Sequence, residues 1–157
     1  MPHLRALSKL LPAAALGLLA APVLAIAMAS GLTTGNWNAP TAAGDGSAQG
    51  VLIDSGGMTQ FSLDATLVRQ AVIFSIDFGT IDGILDNGTG QAWPLYTFSG
   101  EYTGDLLTDS GTFRAQLARQ DSPSGPSVLI GRIGGQFQDS ASAATIGTFK
   151  GRWQANL

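Results

Sequence analysis

Pro94–Leu107 reads PLYTFSGEYTGDLL, and its side chains alternate. Tyr96, Phe98, Tyr102 and Leu106 fall on one face, with Gly100 and Gly104 between them; Thr97, Ser99, Glu101, Thr103 and Asp105 fall on the other. Period two belongs to a strand, because successive Cβ atoms point to opposite sides of a pleated backbone. The pattern repeats outward from this stretch. Phe61, Leu63, Ala65 and Leu67 oppose Gln60, Ser62, Asp64 and Thr66. Phe113, Ala115 and Leu117 oppose Thr112, Arg114 and Gln116, and Phe149 and Trp153 oppose Lys150, Arg152 and Gln154. Between Ala71 and Gly79, the apolar Val72, Phe74, Ile76 and Phe78 are assigned to the inner face.

Turn-forming runs separate these segments: Ser55-Gly56-Gly57, Asp86-Asn87-Gly88, Asp109-Ser110-Gly111 and Asp121 to Pro126. Strands are expected near 50–55, 58–66, 70–79, 80–86, 93–106, 111–120, 127–138 and 144–154. One helical turn has room at 66–71. The fold class is all-β: about eight strands in an antiparallel meander, closed as a soluble β-barrel so that no edge is left. Eight strands enclose a space that side chains fill. A two-layer sandwich is the alternative, and a transmembrane barrel would use the same alternation with its apolar face turned to lipid.

The N-terminus has a different character. His3, Arg5 and Lys9 precede an apolar run from Leu10 to Ala27, broken by Pro12 and Pro22, with small-residue cleavage sites after Ala25, Ala27 or Ala29. This is the anatomy of a cleaved signal peptide over 1–29. Residues 30–50, rich in Gly, Ala, Thr and Asn, read as a flexible lead-in in which Trp37 is the one residue able to pin a short strand. The barrel domain is then 51–157.

Composition excludes several chemistries. The chain has no cysteine, so it has no disulfide, thiolate metal site or lipoprotein anchor. Its one histidine, His3, lies in the leader, which removes imidazole bases, Ser-His-Asp triads and His-ligated metals from the mature chain. Tyr96 and Tyr102, conceivable haem ligands, sit on the apolar parity of their strand and read as core. Removing Arg5 and Lys9 leaves 6 cationic residues against 11 acidic ones, a net charge of −5. With no run of Lys and Arg, nucleic acid is not an expected partner.

The remaining candidates are weak by themselves. Asp77, Asp82 and Asp86, joined by Glu101 and Asp105, are the nearest approach to a carboxylate pair. Asp86-Asn87-Gly88 is turn chemistry, however, and the others are assigned to outward positions. Asn87-Gly88-Thr89 matches a glycosylation acceptor and reads as a turn. Arg114, Arg132 and Arg152 recur on neighbouring expected strands, where they form either an anion-facing patch or a solvated face. No catalytic, cofactor-binding or metal-binding residue is assigned, and no enzyme activity is expected.

The last hairpin, Gly131–Trp153 (GRIGGQFQDSASAATIGTFKGRW), carries a resemblance to a family. Gly135-Gln136-Phe137 is followed, across a small polar turn, by Gly147-Thr148-Phe149. Upstream, Phe74-Ser75-Ile76-Asp77-Phe78-Gly79-Thr80 with Ile81-Asp82-Gly83-Ile84-Leu85, and Phe98-Ser99-Gly100-Glu101-Tyr102-Thr103-Gly104, occur in the matching order. Together they resemble the barrel domain of the transferrin-binding protein B-like family. The chain departs from that family in having Asp139-Ser140 where Gly-Pro is usual, no lipid-anchor cysteine and no handle domain. The resemblance implies a bacterial barrel exported to the periplasm, cell surface or medium. It would act as a non-enzymatic binding or surface-interaction module, and no binding residue carries over. An unknown protein or small ligand would be recognised by loops, with 121–126 and 86–92 foremost. The alternative is a small outer-membrane barrel with a structural or permeability role.

Overall fold

The computed structural model describes residues 28–41, 44–140 and 143–157. Eight strands follow one another: β1 (Met28–Asn38), β2 (Gly46–Asp54), β3 (Thr59–Ile73), β4 (Ile76–Asp86), β5 (Leu95–Asp105), β6 (Ser110–Gln120), β7 (Ser127–Ser140) and β8 (Ala143–Asn156). Each pairs antiparallel with the next, and β8 returns to β1, which closes the barrel in sequence order. The eight-stranded closed meander is therefore the architecture, and no sandwich forms. The signal peptide expected at the N-terminus falls largely on residues 1–27, outside the described residues; Met28 and Ala29 belong to β1.

The expected number of strands is correct through two errors that cancel. The lead-in assigned to 30–50 is instead β1 and the first half of β2. It lacks apolar alternation because its inward positions are small: Gly31, Thr33 and Gly35, roofed by rings from β8. Trp37 does pin it, with 7% of its surface exposed. In the other direction, the segments expected at 70–79 and 80–86 are the end of β3 and a single β4. The site considered for a helical turn, 66–71, lies within β3.

The chain reverses at Phe74 and Ser75, between β3 and β4, where the usual turn residues are absent. Phe74 takes φ of 58°, a left-handed conformation uncommon for a bulky side chain. A register shift falls between Arg69 and Ala71. Val72 and Phe74 are exposed at the tip of the hairpin, Phe74 fully, and Phe78 faces solvent because β4 alternates with Asp77, Gly79 and Ile81 inward. Asp77, expected outside, points inward. Apart from this hairpin and Leu106, which lies beyond the end of β5 and is exposed, the alternation holds: Phe61, Leu63, Ala65, Leu67, Tyr96, Phe98, Tyr102, Phe113, Leu117, Phe137, Phe149 and Trp153 are buried.

These rings fit because glycines stand beside them. Phe149 is paired with Gly35, which in turn is paired with Gly50, and the ring lies across both. Phe137 similarly covers Gly111 and Gly104, Tyr102 covers Gly79, and Phe98 covers Gly83. Trp153 is paired with Gly31 and reaches past it, donating from Nε1 to Ile53 O at 3.1 Å. Contacts between the rings link these rows, including Trp37 with Phe137 at 4.4 Å and Phe61 with Tyr96 at 4.9 Å between centroids.

A methyl group added at Gly35 would meet Phe149 Cε1 and Gly50 Cα, each at 2.6 Å. Gly35→Ala is expected to lose about 1–3 kcal/mol through overpacking. Gly44→Ala, with no described atom within 4 Å of the added carbon, should change stability by less than about 0.5 kcal/mol. Urea denaturation of the two variants measures the contrast.

Candidate functional site

The interior offers no ligand chamber among the described residues. Between Trp37, Leu67, Phe98, Tyr102, Phe137 and Phe149 a void of about 20 Å³ remains, room for about one water. Tyr96 and Tyr102 are core residues, as their parity implies. Any recognition must therefore use the ends or the outer wall.

One end opens into a recess of about 330 Å³ bordered by Pro40, Arg69, Asp77, Tyr102, Asp105 and Asp109. Asp77 is 4% exposed. Arg69 Nε donates to its two oxygens at 3.0 and 2.9 Å, and Nη2 donates to Oδ2 at 2.6 Å. Tyr102 OH donates to Oδ1 at 3.5 Å. The bond to Asp77 raises the Arg69 pKa above its ordinary value. Burial, followed by the negative charge of Asp77, pushes the Tyr102 phenol up to about 12. Both Asp77 oxygens are engaged, so the group is a clamp between β3 and β4 and not a free general base.

Of the other carboxylates, Asp105 and Asp109 border the same recess, and Asp82, Asp86 and Glu101 lie elsewhere. Asp82 and Asp86 are on the outer face of β4, and Glu101 is on the outer face of β5. Asp105 accepts from the Leu107 amide at 2.9 Å in the β5–β6 turn. Among the described residues no group of three or more His, Cys, Asp or Glu is placed to hold a metal.

The outer wall of β6, β7 and β8 brings together residues that are dispersed in sequence. Gly134 is an outward position on β7. Arg114 of β6 and Arg152 of β8 are its direct partners on either side. Arg132 and Gln136 lie two residues away on its own strand. The diagonal positions are Thr112 and Gln116 on β6, and Lys150 and Gln154 on β8. Eight neighbours thus surround a position with no side chain: four cations, three glutamines and a threonine. None is acidic. The two other cations among the described residues, Arg69 and Arg119, are each paired with an aspartate, Asp77 and Asp121.

The wall is recessed here, over an open volume of about 1200 Å³ that includes Arg114, Gln116, Arg132, Gly134, Arg152 and Gln154. Small inward residues explain the shape. A Cβ at Gly31, Gly100 or Gly131 would collide with the carbonyl of the adjoining strand, so the strands are drawn in where no side chain props them apart. With its oxygen turned toward Arg132, the Gln154 amide accepts from Nε at 2.8 Å and from Nη2 at 3.0 Å. Arg114 makes only a 3.4 Å contact with Glu101 at the border, with both side chains largely in solvent. Asp54, on the opposite rim, accepts from the Met58 and Gly56 amides and from Gln60. The Met58 bond is the main cause holding its carboxyl below its ordinary pKa. Of the two border acids, Glu101 thus engages Arg114 weakly, and Asp54 is taken up by its own turn and Gln60.

The arginine triplet suggested by sequence is therefore assembled. Lys150 and the central Gly134, not singled out from sequence, complete it. Loops 86–92 and 121–126 lie at one end of the barrel and are held by their own polar groups. Asp86 and Asn87 accept from the Gly88 and Thr89 amides at 2.8 and 3.1 Å, which makes Asn87-Gly88-Thr89 a turn. Gln120 donates to Pro123 O and Gly125 O at 3.3 and 3.0 Å.

No protein-family model, curated protein or solved structure matches this chain.

Asp77→Asn removes the buried charge that Arg69 requires and should cost about 3 kcal/mol. Asp82→Asn should cost less than about 0.5 kcal/mol; thermal unfolding of both variants tests this. The Tyr102 phenol titrates near 12 when folded and 10.0 when unfolded. The folded state therefore keeps a proton that the unfolded state loses, and stability falls as pH rises from 10 to 12. In Tyr102→Phe that part of the decline is absent, measured as the difference between the two stability–pH curves.

Proposed function

We propose that this protein is a non-enzymatic, exported binding or surface-interaction module that holds an anionic partner against the outer wall of β6–β8. The observation that carries the proposal is the ring of Arg114, Arg132, Lys150 and Arg152 around Gly134, its three arginines lining a recess in the wall of a predominantly acidic chain. Guanidinium groups present forked donors to carboxylate, sulfate or phosphate. The glycine floor lets a ligand approach the backbone between them.

The filled interior favours recognition from outside, and the resemblance to the transferrin-binding protein B-like barrel favours export and a binding role. Cleavage after Ala27 would leave β1 whole. Cleavage after Ala29 would remove Met28 and Ala29, which pair with Asn156 and Ala155. The outer-membrane alternative fits less well. Outward positions at the middle of the strands include Asp64, Asp82, Glu101, Arg114 and Arg132, and a lipid-facing Arg costs about 2–4 kcal/mol at the bilayer midplane.

The test uses dextran sulfate as a probe. Wild type should be retained at low salt despite its net negative charge. Replacing Arg114, Arg132 and Arg152 by Gln should weaken binding about tenfold or more, at about 0.5–1 kcal/mol per exposed charged contact. Arg119→Gln and deletion of 121–126 should leave binding unchanged. Equal retention of the triple variant would overturn the assignment of the face.

A further inference from the structure

The opposite side of the barrel carries the reverse arrangement. In a closed order of eight strands, β3 and β4 lie four strands away from β7 and β8. On that side Ile84 points outward and is 54% exposed. Asp82 and Asp86 flank it on β4, and Asp64 is its direct partner on β3. Its remaining neighbours are Ser62 and Thr66 on β3, and Leu95, Thr97 and Ser99 on β5. No cation is among them, and the three aspartates are exposed. One wall is thus a glycine-floored recess ringed by Arg114, Arg132 and Arg152. The wall behind it is an apolar knob ringed by Asp64, Asp82 and Asp86.

We propose that the occupant of the cationic recess is the β3–β4 wall of a second copy of this chain. Ile84 would seat over Gly134, and the aspartates would meet the arginines. The inference rests on the cationic face being the binding face and goes further by naming the partner. Two complementary patches on opposite sides of one molecule make a heterologous contact, which a two-fold dimer does not satisfy. Each docked copy presents a fresh patch, so the products are chains or rings. Exposed ion pairs are individually weak and screened by salt, so assembly should be concentration-dependent and reversible.

Sedimentation velocity on the full mature chain tests this at about 0.01 M and about 1 M salt, where the Debye length falls from about 30 Å to about 3 Å. Wild type should show a sedimentation coefficient that rises with protein concentration at low salt, without a plateau at the dimer, and a monomer at high salt. The acid-face variant (D64N, D82N, D86N) and the cation-face variant (R114Q, R132Q, R152Q) should each remain monomeric alone. Mixed together they keep one productive interface between them and should stop at a one-to-one dimer.

A wild type that stays monomeric at low salt overturns the proposal, as does an acid-face variant that assembles like wild type or a mixture that forms no dimer. If wild type is monomeric yet the arginines still retain it on dextran sulfate, only the identity of the partner is wrong. If dextran sulfate binding is also independent of the arginines, the binding face itself is wrong.

Discussion

Phe98, Tyr102, Phe137 and Phe149 each lie across a glycine on the neighbouring strand, and the filling of the barrel depends on that pairing. Eight strands leave an interior only a few side chains wide. Phe137, Phe149, Phe98 and Tyr102 enter it because the position beside each has no Cβ, so the ring covers backbone instead of meeting another side chain. The high glycine content is thus a packing device. Rings and glycines together fill the interior, and the void left between Trp37, Leu67, Phe98, Tyr102, Phe137 and Phe149 is about 20 Å³, room for about one water.

A filled interior moves recognition to the wall, and the same glycines shape that wall. Where Gly31, Gly100, Gly131, Gly135 and Gly151 face inward, the strands close on one another and the outer surface sinks. The antiparallel register then sets Arg114, Arg132 and Arg152, spread over 39 positions of chain, around one outward glycine. Lys150 joins them because Gln136 is its partner. Long cationic side chains around a bare floor suit an anion whose own geometry is not tightly prescribed. The interior charge does something different. Arg69 and Asp77 satisfy each other where the β3–β4 hairpin leaves the barrel, and Tyr102 ties the pair to β5.

The readings that failed have local physical causes. β1 escaped notice because a strand whose inward positions are Gly31, Thr33 and Gly35 has no apolar alternation of its own; its apolar cover comes from β8. The β3–β4 turn escaped because Phe74 occupies a conformation that Gly, Asn or Asp usually marks. Because the chain turns there, β4 starts a parity of its own, with Asp77, Gly79, Ile81 and Leu85 inward, which leaves Phe78 in solvent and the aspartate buried. Among the candidate sites, the arginine triplet was visible as a recurrence on neighbouring strands. Its centre was not, since nothing in the order of residues aligns Gly134 with Arg114 and Arg152.

The sequence by itself determined the all-β class, the antiparallel meander and most of the inward-facing residues, because period-two alternation and turn residues are local properties of the chain. Its composition also excluded thiol chemistry outright and imidazole chemistry from the barrel. Tertiary structure alone decided that β1 exists and closes on β8, in what register the strands pair, and where parity slips. Those choices depend on hydrogen bonds between residues far apart in sequence, as between β1 and β8. They placed Phe98, Tyr102, Phe137 and Phe149 over glycines, an aspartate inside with its arginine, and opposite charges on opposite walls.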